Sequence, residues 1–423
     1  MISDFKSLVK TKNFSYLWSS QILSQFTIQI MNFLLLIRLF EETGSTIATS
    51  FLWVAYALPA IIIGPFAAAS VDMIDRRTTL IVANLLQAAT IFLYALTHQT
   101  SLFLLYGVAM MYSLLNQFYV PAELAALPTL VSKKKLPFAN GLFFMTQQVA
   151  IVGGFSLAGL MKKFLGFSTT LYFSAGLLFI AFLSVLKLPK METEEKVPAH
   201  FEKAVVKFFQ GIFEGYRYIK DNNFILIPLS LMLMVYTSAA VITVNIPIIV
   251  QEIFKVNLDL AGLLIAVPGG IGTLIGALTI PRVLKRGLRK IRIIETSFVI
   301  IAVSLLIYTF FVPALSGFKS IYLGVFTTIL TGFAFVGILI PTQTFLQEKT
   351  PKALRGRVFG NYWFLASVVT LFPVIFSATI TELFGIRFLF LLISGISLIS
   401  LYLIKKHANE FIKAGFSFKR NNQ

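Results

Sequence analysis

Val299-Ile-Ile-Ala-Val-Ser-Leu-Leu-Ile-Tyr-Thr-Phe-Phe-Val-Pro313 runs for fifteen residues without a charged side chain. Apolar runs of this kind recur along the chain at about 20 residues each, the length an α-helix needs to cross ~30 Å of hydrocarbon. A transmembrane barrel would show ~10-residue stretches of alternating polarity instead, and these runs are continuous. The rest of the composition agrees. The 423 residues are 57% hydrophobic and only 13% charged, with a mean hydropathy of +0.83. A soluble domain carries roughly 25% charged residues because it must coat itself for water.

The spacing predicts spans near 14–38, 47–70, 78–97, 101–122, 139–161, 167–187, 224–250, 259–281, 292–313, 320–345, 357–381 and 386–404. The fold class is therefore an all-α polytopic membrane protein of twelve transmembrane helices in two six-helix halves. No cysteine is present, which excludes disulfides and thiolate metal sites, and the three histidines (His98, His200, His407) have no metal-ligand spacing. The first apolar stretch is long enough to stay as a span, so no cleaved signal peptide is expected.

A net charge of +18 would suit a nucleic-acid partner, but its location argues otherwise. Thirty of the 36 Lys and Arg residues lie in the N-terminus, the even-numbered loops and the C-terminus. The other six are Arg38, Lys162, Lys163, Lys255, Lys319 and Arg387. Basic residues accumulate on the cytoplasmic side, so both termini are expected in the cytoplasm of a bacterial inner membrane. The charge is then topological, with an added contact to anionic lipid and no nucleic acid.

The expected domains are 1–188, a cytoplasmic linker at 189–223 and 224–423. The linker begins charged and turns amphipathic through Phe208, Phe209, Ile212, Phe213, Tyr216 and Ile219, a 3–4 spacing that predicts a helix on the membrane surface. The halves also read as repeats. Tyr119-Val-Pro121 has a counterpart in Leu339-Ile-Pro341, and Gly141-Leu-Phe-Phe144 has one in Gly360-Asn-Tyr-Trp363. Internal symmetry of this sort is typical of transporters, whose sites lie at the repeat interface.

Three motifs sit at fixed places on this frame. They are Gly64-Pro-Phe-Ala-Ala-Ala-Ser-Val-Asp72-Met-Ile-Asp75-Arg76-Arg77, Glu214-Gly-Tyr-Arg-Tyr218, and Gln347-Glu-Lys-Thr-Pro-Lys-Ala-Leu-Arg355-Gly-Arg357. Through them the chain resembles the major facilitator superfamily, and more narrowly the branch of macrolide efflux proteins and the enterobactin exporter. There are departures. Ala68 replaces a signature glycine and Met73 a usual arginine. The antiporter motif survives in span 5 only as Gly154-Phe155-Ser-Leu-Ala158-Gly159, without its proline.

The resemblance implies two pseudo-symmetric bundles that alternate access. It also implies a conformational latch built from Asp72, Asp75, Arg76 and Arg77 with Arg355 and Arg357. In span 1, Gln21, Gln25, Gln29 and Asn32 share one helical face. Amides facing lipid would lack partners, so this face is expected inside, as helix–helix hydrogen bonding or, as the resemblance implies, as a cavity wall. Span 4 offers Tyr112, Asn116, Tyr119 and Glu123. The second half adds Tyr236, Thr237, Asn245, Gln343, Asn361 and Tyr362 as cavity candidates. Glu123, expected near a water-accessible end, is the candidate for proton coupling. Arg38 with Glu41 and Glu42 reads as an anchor or gate at a span end.

The leading expectation is a monomeric, non-enzymatic secondary transporter. It exports a bulky, partly apolar small molecule (a macrolide, another drug or a siderophore) by proton-coupled antiport, needing no cofactor or metal. A lysophospholipid transporter is the alternative, through Pro121-Ala122 and Ala139-Asn-Gly141; a receptor or scaffold is a third reading. An ATP-driven pump is excluded, because no Gly-x4-Gly-Lys-Ser/Thr loop occurs and no soluble stretch could hold a nucleotide domain.

Overall fold

In a computed structural model, residues 8–64, 66–67, 74–132, 135–191, 206, 210, 213–214, 216–351 and 354–406 are described. The long helices are numbered in chain order: α1 (Lys12–Thr43), α2 (Thr46–Ile62), α3 (Arg76–Thr97), α4 (Leu104–Leu130), α5 (Leu136–Leu165), α6 (Phe167–Leu186), α7 (Asn223–Val244), α8 (Val267–Lys285), α9 (Lys290–Leu306), α10 (Phe318–Lys349), α11 (Arg355–Phe384) and α12 (Ile386–Lys406). Among the described residues, ten helical stretches are long and apolar enough to cross a membrane, while α2 is shorter at 17 residues. The protein is a multi-pass α-helical membrane protein.

Lipid explains how these helices survive their own prolines and hydroxyls. Pro59, Pro121, Pro128, Pro228, Pro281, Pro341 and Pro373 all lie inside helices. Such breaks are tolerated in membranes because neighbouring groups satisfy the freed carbonyls. Hydroxyls turn inward onto their own helix: Thr90 donates to the Leu86 carbonyl, Ser156 to Val152 and Thr243 to Ala239. These hydroxyl protons therefore do not face hydrocarbon. The prolines also move an expected boundary. Apolar run length predicts an end of span 4 at 122, but α4 runs through Pro121 to Leu130 and carries Glu123 inside the helix.

The chain divides into two compact units, Met1–Gly44 with Phe51–Gln210, and Ser45–Ser50 with Gly211–Gln423. In unit 1, α1 packs on α5 and α6, and α3 packs on α4 and α6. Phe14, Leu17, Leu80, Tyr119, Leu127, Phe143 and Val185 are buried together there. In unit 2, α7 packs on α10 and α11, and α9 packs on α10 and α12. Several pairs of the first unit thus recur in the second, six helices later. Of the linker, Phe208, Phe209 and Ile212 lie outside the described residues, whereas Phe213, Tyr216 and Ile219 are helical.

Unit 2 has its tightest seam between α8 and α10, where small residues let backbones touch. A Cβ on Gly272 would collide with the Ile329 carbonyl, and one on Gly332 with the Gly269 carbonyl. Gly337 makes room for Ser297 of α9 in the same way. Between α7 and α8, and again after α9, the helical winding widens: π-helical turns occupy Ile249–Phe254, Gly262–Ala266 and Ile307–Phe311. Tyr308 in the last of these donates to the Gly324 carbonyl at 2.8 Å.

Because the α8–α10 seam is backbone against backbone, Gly272→Leu is expected to cost about 1–3 kcal/mol by overpacking. A Cβ added at Gly395 would meet nothing within 4 Å, so Gly395→Ala should change stability by no more than about 1 kcal/mol. Thermal unfolding of both variants in detergent checks the contrast.

Candidate functional site

The buried polar groups of unit 1 converge on one carboxylate. Glu123 on α4 is 3% exposed, within a helix that otherwise buries Tyr112, Ser113, Tyr119, Ala122 and Ala126. Isolated carboxylates are expensive in such surroundings, so its partners matter. Tyr119, one turn earlier, donates its hydroxyl to Oε1 of Glu123 at 2.9 Å. That hydroxyl lies 3.3 Å from Oγ of Ser20 on α1, and Ser20 accepts from Nδ2 of Asn84 on α3 at 3.0 Å. All of these partners are neutral, and among the described residues no basic side chain is ion-paired to Glu123. The water-accessible position expected for Glu123 is therefore not what the structure shows, because α4 continues past it and α1 and α3 close over it.

The span 1 face divides in two. Gln21 is buried and donates to the Phe143 carbonyl of α5 at 3.1 Å. Gln25, Gln29 and Asn32 are half-buried, as is Asn116 on α4. Tyr112 is buried. Gly154 sits against Gln29, where a Cβ would overlap the Gln29 side chain, and Gly153 sits against Phe26. Gly154, one of the two glycines surviving in the span 5 motif, thus has a packing role: it lets α5 approach the amide face of α1.

In unit 2, Asn245 is fully buried, and its amide donates to the Val241 carbonyl at 2.9 Å and to Ser377 at 3.3 Å. Thr237 pairs with Thr370 at 3.0 Å. Asn361 and Tyr362 are buried, while Tyr236 and Gln343 are half-buried. The half-buried members are the ones with surface left for a ligand; Asn245 spends one amide hydrogen on the end of α7 and the other on Ser377 of α11.

Asp72 lies outside the described residues, as do the side chains of Arg355 and Arg357. Asp75 caps α3: one oxygen accepts from the Thr78 N–H at 2.7 Å and the other from the Met191 N–H at 3.1 Å. A carboxylate at a helix N-terminus is stabilised by the orphan N–H groups and the helix dipole. Arg77 donates to the Leu186 carbonyl at 2.7 Å, so the start of α3 is bound to the end of α6 by Arg77 and to the segment that follows α6 by Asp75.

Sequence reasoning passed over three contributors. Ser20 and Asn84 complete the Glu123 network, and a signal existed for each. Ser20 lies one turn before Ser24, and Asn84 with Gln87 forms an amide pair in an otherwise apolar span. Glu382, in unit 2, accepts from Ser45 Oγ at 2.8 Å and from the Ile47 N–H at 3.1 Å, capping α2. Nothing around Glu382 in the sequence distinguishes it from an ordinary acid at a helix end.

A second titratable group lies past the end of α3. His98 shares a hydrogen bond with Ser168 at 2.8 Å and meets the Phe167 ring edge-on at 5.1 Å. Arg38 lies over the same ring at 5.4 Å and pairs with Glu42 at 2.8 Å. Burial first, and the Arg38 guanidinium second, hold the His98 pKa below its ordinary value.

Residues 17–373 match the family model described as Major Facilitator Superfamily. The chain is 24% identical over 367 residues to the uncharacterized MFS-type transporter YfiS of Bacillus subtilis, covering 86% of this chain and 85% of that protein. It is 24% identical over 416 residues to macrolide efflux protein A of Streptococcus pyogenes, covering 95% and 96%. Among solved structures it is similar in fold to the nucleoside transporter NupG, with a TM-score of 0.70, 16% identity, and 92% and 98% of the two chains covered. A bacterial homolog of the human lysosomal transporter Spinster gives 0.69 at 12% identity, covering 97% and 99%.

A histidine whose pKa is lowered by folding contributes stability in full above its ordinary value near 6.5, and loses it as the pH falls below that value. The melting temperature is therefore expected to decline below about pH 6.5. His98→Gln should remove part of that slope when melting is followed across pH 5 to 8.

Proposed function

The chain belongs to the Major Facilitator Superfamily, and we propose that within it the protein exports a bulky, partly apolar small molecule such as a macrolide, another drug or a siderophore, in exchange for protons. The observation that carries the coupling is Glu123, a buried carboxylate whose hydrogen-bonded partners are all neutral. A lone carboxylate in a low-dielectric interior is neutralised by taking up a proton, and alternating access would let it load on one side and unload on the other. Likeness to macrolide efflux protein A along almost the whole chain supports the substrate class.

In this reading Gln25, Gln29, Asn32 and Asn116 in unit 1, and Tyr236 and Gln343 in unit 2, offer polar contacts to the substrate. Gln21, Tyr112, Asn245, Asn361 and Tyr362 hold the helices that present them. Asp72 with Arg355 and Arg357 forms the latch that the family motifs imply, each contact contributing about 1–3 kcal/mol. Asp75, Arg76 and Arg77 anchor that latch to unit 1. The basic-residue asymmetry supports cytoplasmic termini in a bacterial inner membrane.

Purified protein in liposomes tests the proposal with a radiolabelled macrolide and an imposed pH gradient. Wild-type protein is expected to move the label in proportion to the gradient, and Glu123→Gln to lose that dependence while still inserting normally. Movement of labelled lysolipid without any gradient would assign the protein to the lysophospholipid reading instead. Absence of flux for every substrate class would leave the scaffold reading.

A further inference from the structure

The hydrogen bonds around Glu123 run in one direction, and that direction follows from donor counting. An ionised carboxylate only accepts, so the single hydroxyl hydrogen of Tyr119 is committed to Glu123. The Tyr119 oxygen can then only accept from Ser20, 3.3 Å away. That commits the Ser20 hydrogen, and the Ser20 oxygen accepts from the Asn84 amide nitrogen. Asn84, Ser20 and Tyr119 are all fully buried, so a donor or acceptor released from this chain stays unpaired at a cost of about 1–3 kcal/mol.

A proton on Glu123 inverts the count. When the acid donates to the oxygen facing it, that of Tyr119, the Tyr119 hydrogen must turn to Ser20 and the Ser20 hydrogen to Asn84. The amide nitrogen of Asn84 cannot accept. Its Oδ1 can, and this atom is buried without a hydrogen-bond partner among the described residues. A half-turn of the Asn84 amide places Oδ1 where Nδ2 now sits. The unpaired oxygen is the acceptor that a reversed chain requires.

We propose that Asn84, Ser20, Tyr119 and Glu123 form a reversible hydrogen-bond relay that reports the proton on α4 to α1 and α3. This rests on the proton-coupled reading of Glu123. Ser20 is the link to transport: it directly precedes Gln21, which fastens α1 to α5, and it lies on the helix that carries Gln25, Gln29 and Asn32. Reversal exchanges the hydrogen-bond polarity of both contacts Ser20 makes, so what α1 offers to α3 and α4, donor or acceptor, differs between the loaded and unloaded acid. Ser20, Tyr119 and Asn84 are positioning residues in this scheme. The other charged or titratable groups on these helices are Tyr106 and Tyr112 on α4, Lys12, Tyr16, Arg38, Glu41 and Glu42 on α1, Arg76, Arg77 and Tyr94 on α3, and Lys162 and Lys163 on α5, with Lys135 just before α5. None of them is ion-paired to Glu123 among the described residues.

Infrared difference spectroscopy of the full-length protein in lipid nanodiscs, titrated with acid, reads the acid directly. A protonated-carboxyl band lost in Glu123→Gln identifies it. Tyr119→Phe is expected to move the half-titration pH of that band by about 1 unit, the worth of one hydrogen bond to a charged group. Ser20→Ala and Asn84→Leu, which do not touch Glu123, should move it by less but beyond the scatter of repeat titrations, and Ser20→Thr should restore the wild-type value. A midpoint that responds to Tyr119→Phe alone overturns the relay and leaves the proton-coupled reading intact. No band lost in Glu123→Gln overturns both. Because Ser20→Thr keeps the hydroxyl, its rescue separates a relay from a merely misfolded variant.

Discussion

Hydrocarbon offers no hydrogen bonds, and a polar group placed in it without a partner costs several kcal/mol. This shapes the structure more than any single contact. The hydroxyls of Thr90, Ser156 and Thr243 bend back to carbonyls of their own helices. Asn245 spends its amide hydrogens on Val241 and Ser377, and Gln21 donates to Phe143. Two other acids sit where donors are already gathered. Asp75 takes the free N–H groups at the start of α3, and Glu382 those at the start of α2. Glu123 is different in kind: it has no helix end to cap and rests on one phenol, itself held by a serine to which an asparagine donates.

The hydrophobic effect does not distinguish one helix contact from another when lipid tails are as apolar as leucine, so close approach has to be achieved by shape. Gly269, Gly272 and Gly332 bring α8 and α10 backbone to backbone, and Gly337 admits Ser297. In unit 1, Gly153 and Gly154 do the same for α5 against Phe26 and Gln29. Of the glycines left from a degraded motif, Gly154 is thus one that the packing needs.

Lys290 illustrates how charge is handled at a helix end rather than mid-span. It is 3% exposed yet pairs with Glu348 and lies 5.9 Å from the Phe345 ring, tying the start of α9 to the end of α10. With its partner supplied on the neighbouring helix, this pair needs no exchangeable proton. Glu123 has neutral partners only, and that difference separates a structural ion pair from a candidate for coupling.

Much of this was legible in the chain itself. Helical class, the multi-pass arrangement and the family followed from apolar run length and three motifs, because hydrocarbon thickness dictates span length whatever the helices pack against. The amide face of α1 was legible from its spacing. Other features depended on which helix lies beside which. Periodicity places Glu123 near a span end, but only the continuation of α4 through Pro121 and the approach of α1 and α3 bury it. Asn84 and Ser20 are 64 residues apart and meet only on folding. Residues Ser45–Ser50 cluster with the second unit although their neighbours belong to the first. The sequence by itself determined which segments are helices and that they need a lipid solvent; tertiary structure alone decided which buried polar groups find one another, since hydrogen bonds act over about 3 Å and carry no mark in the local pattern.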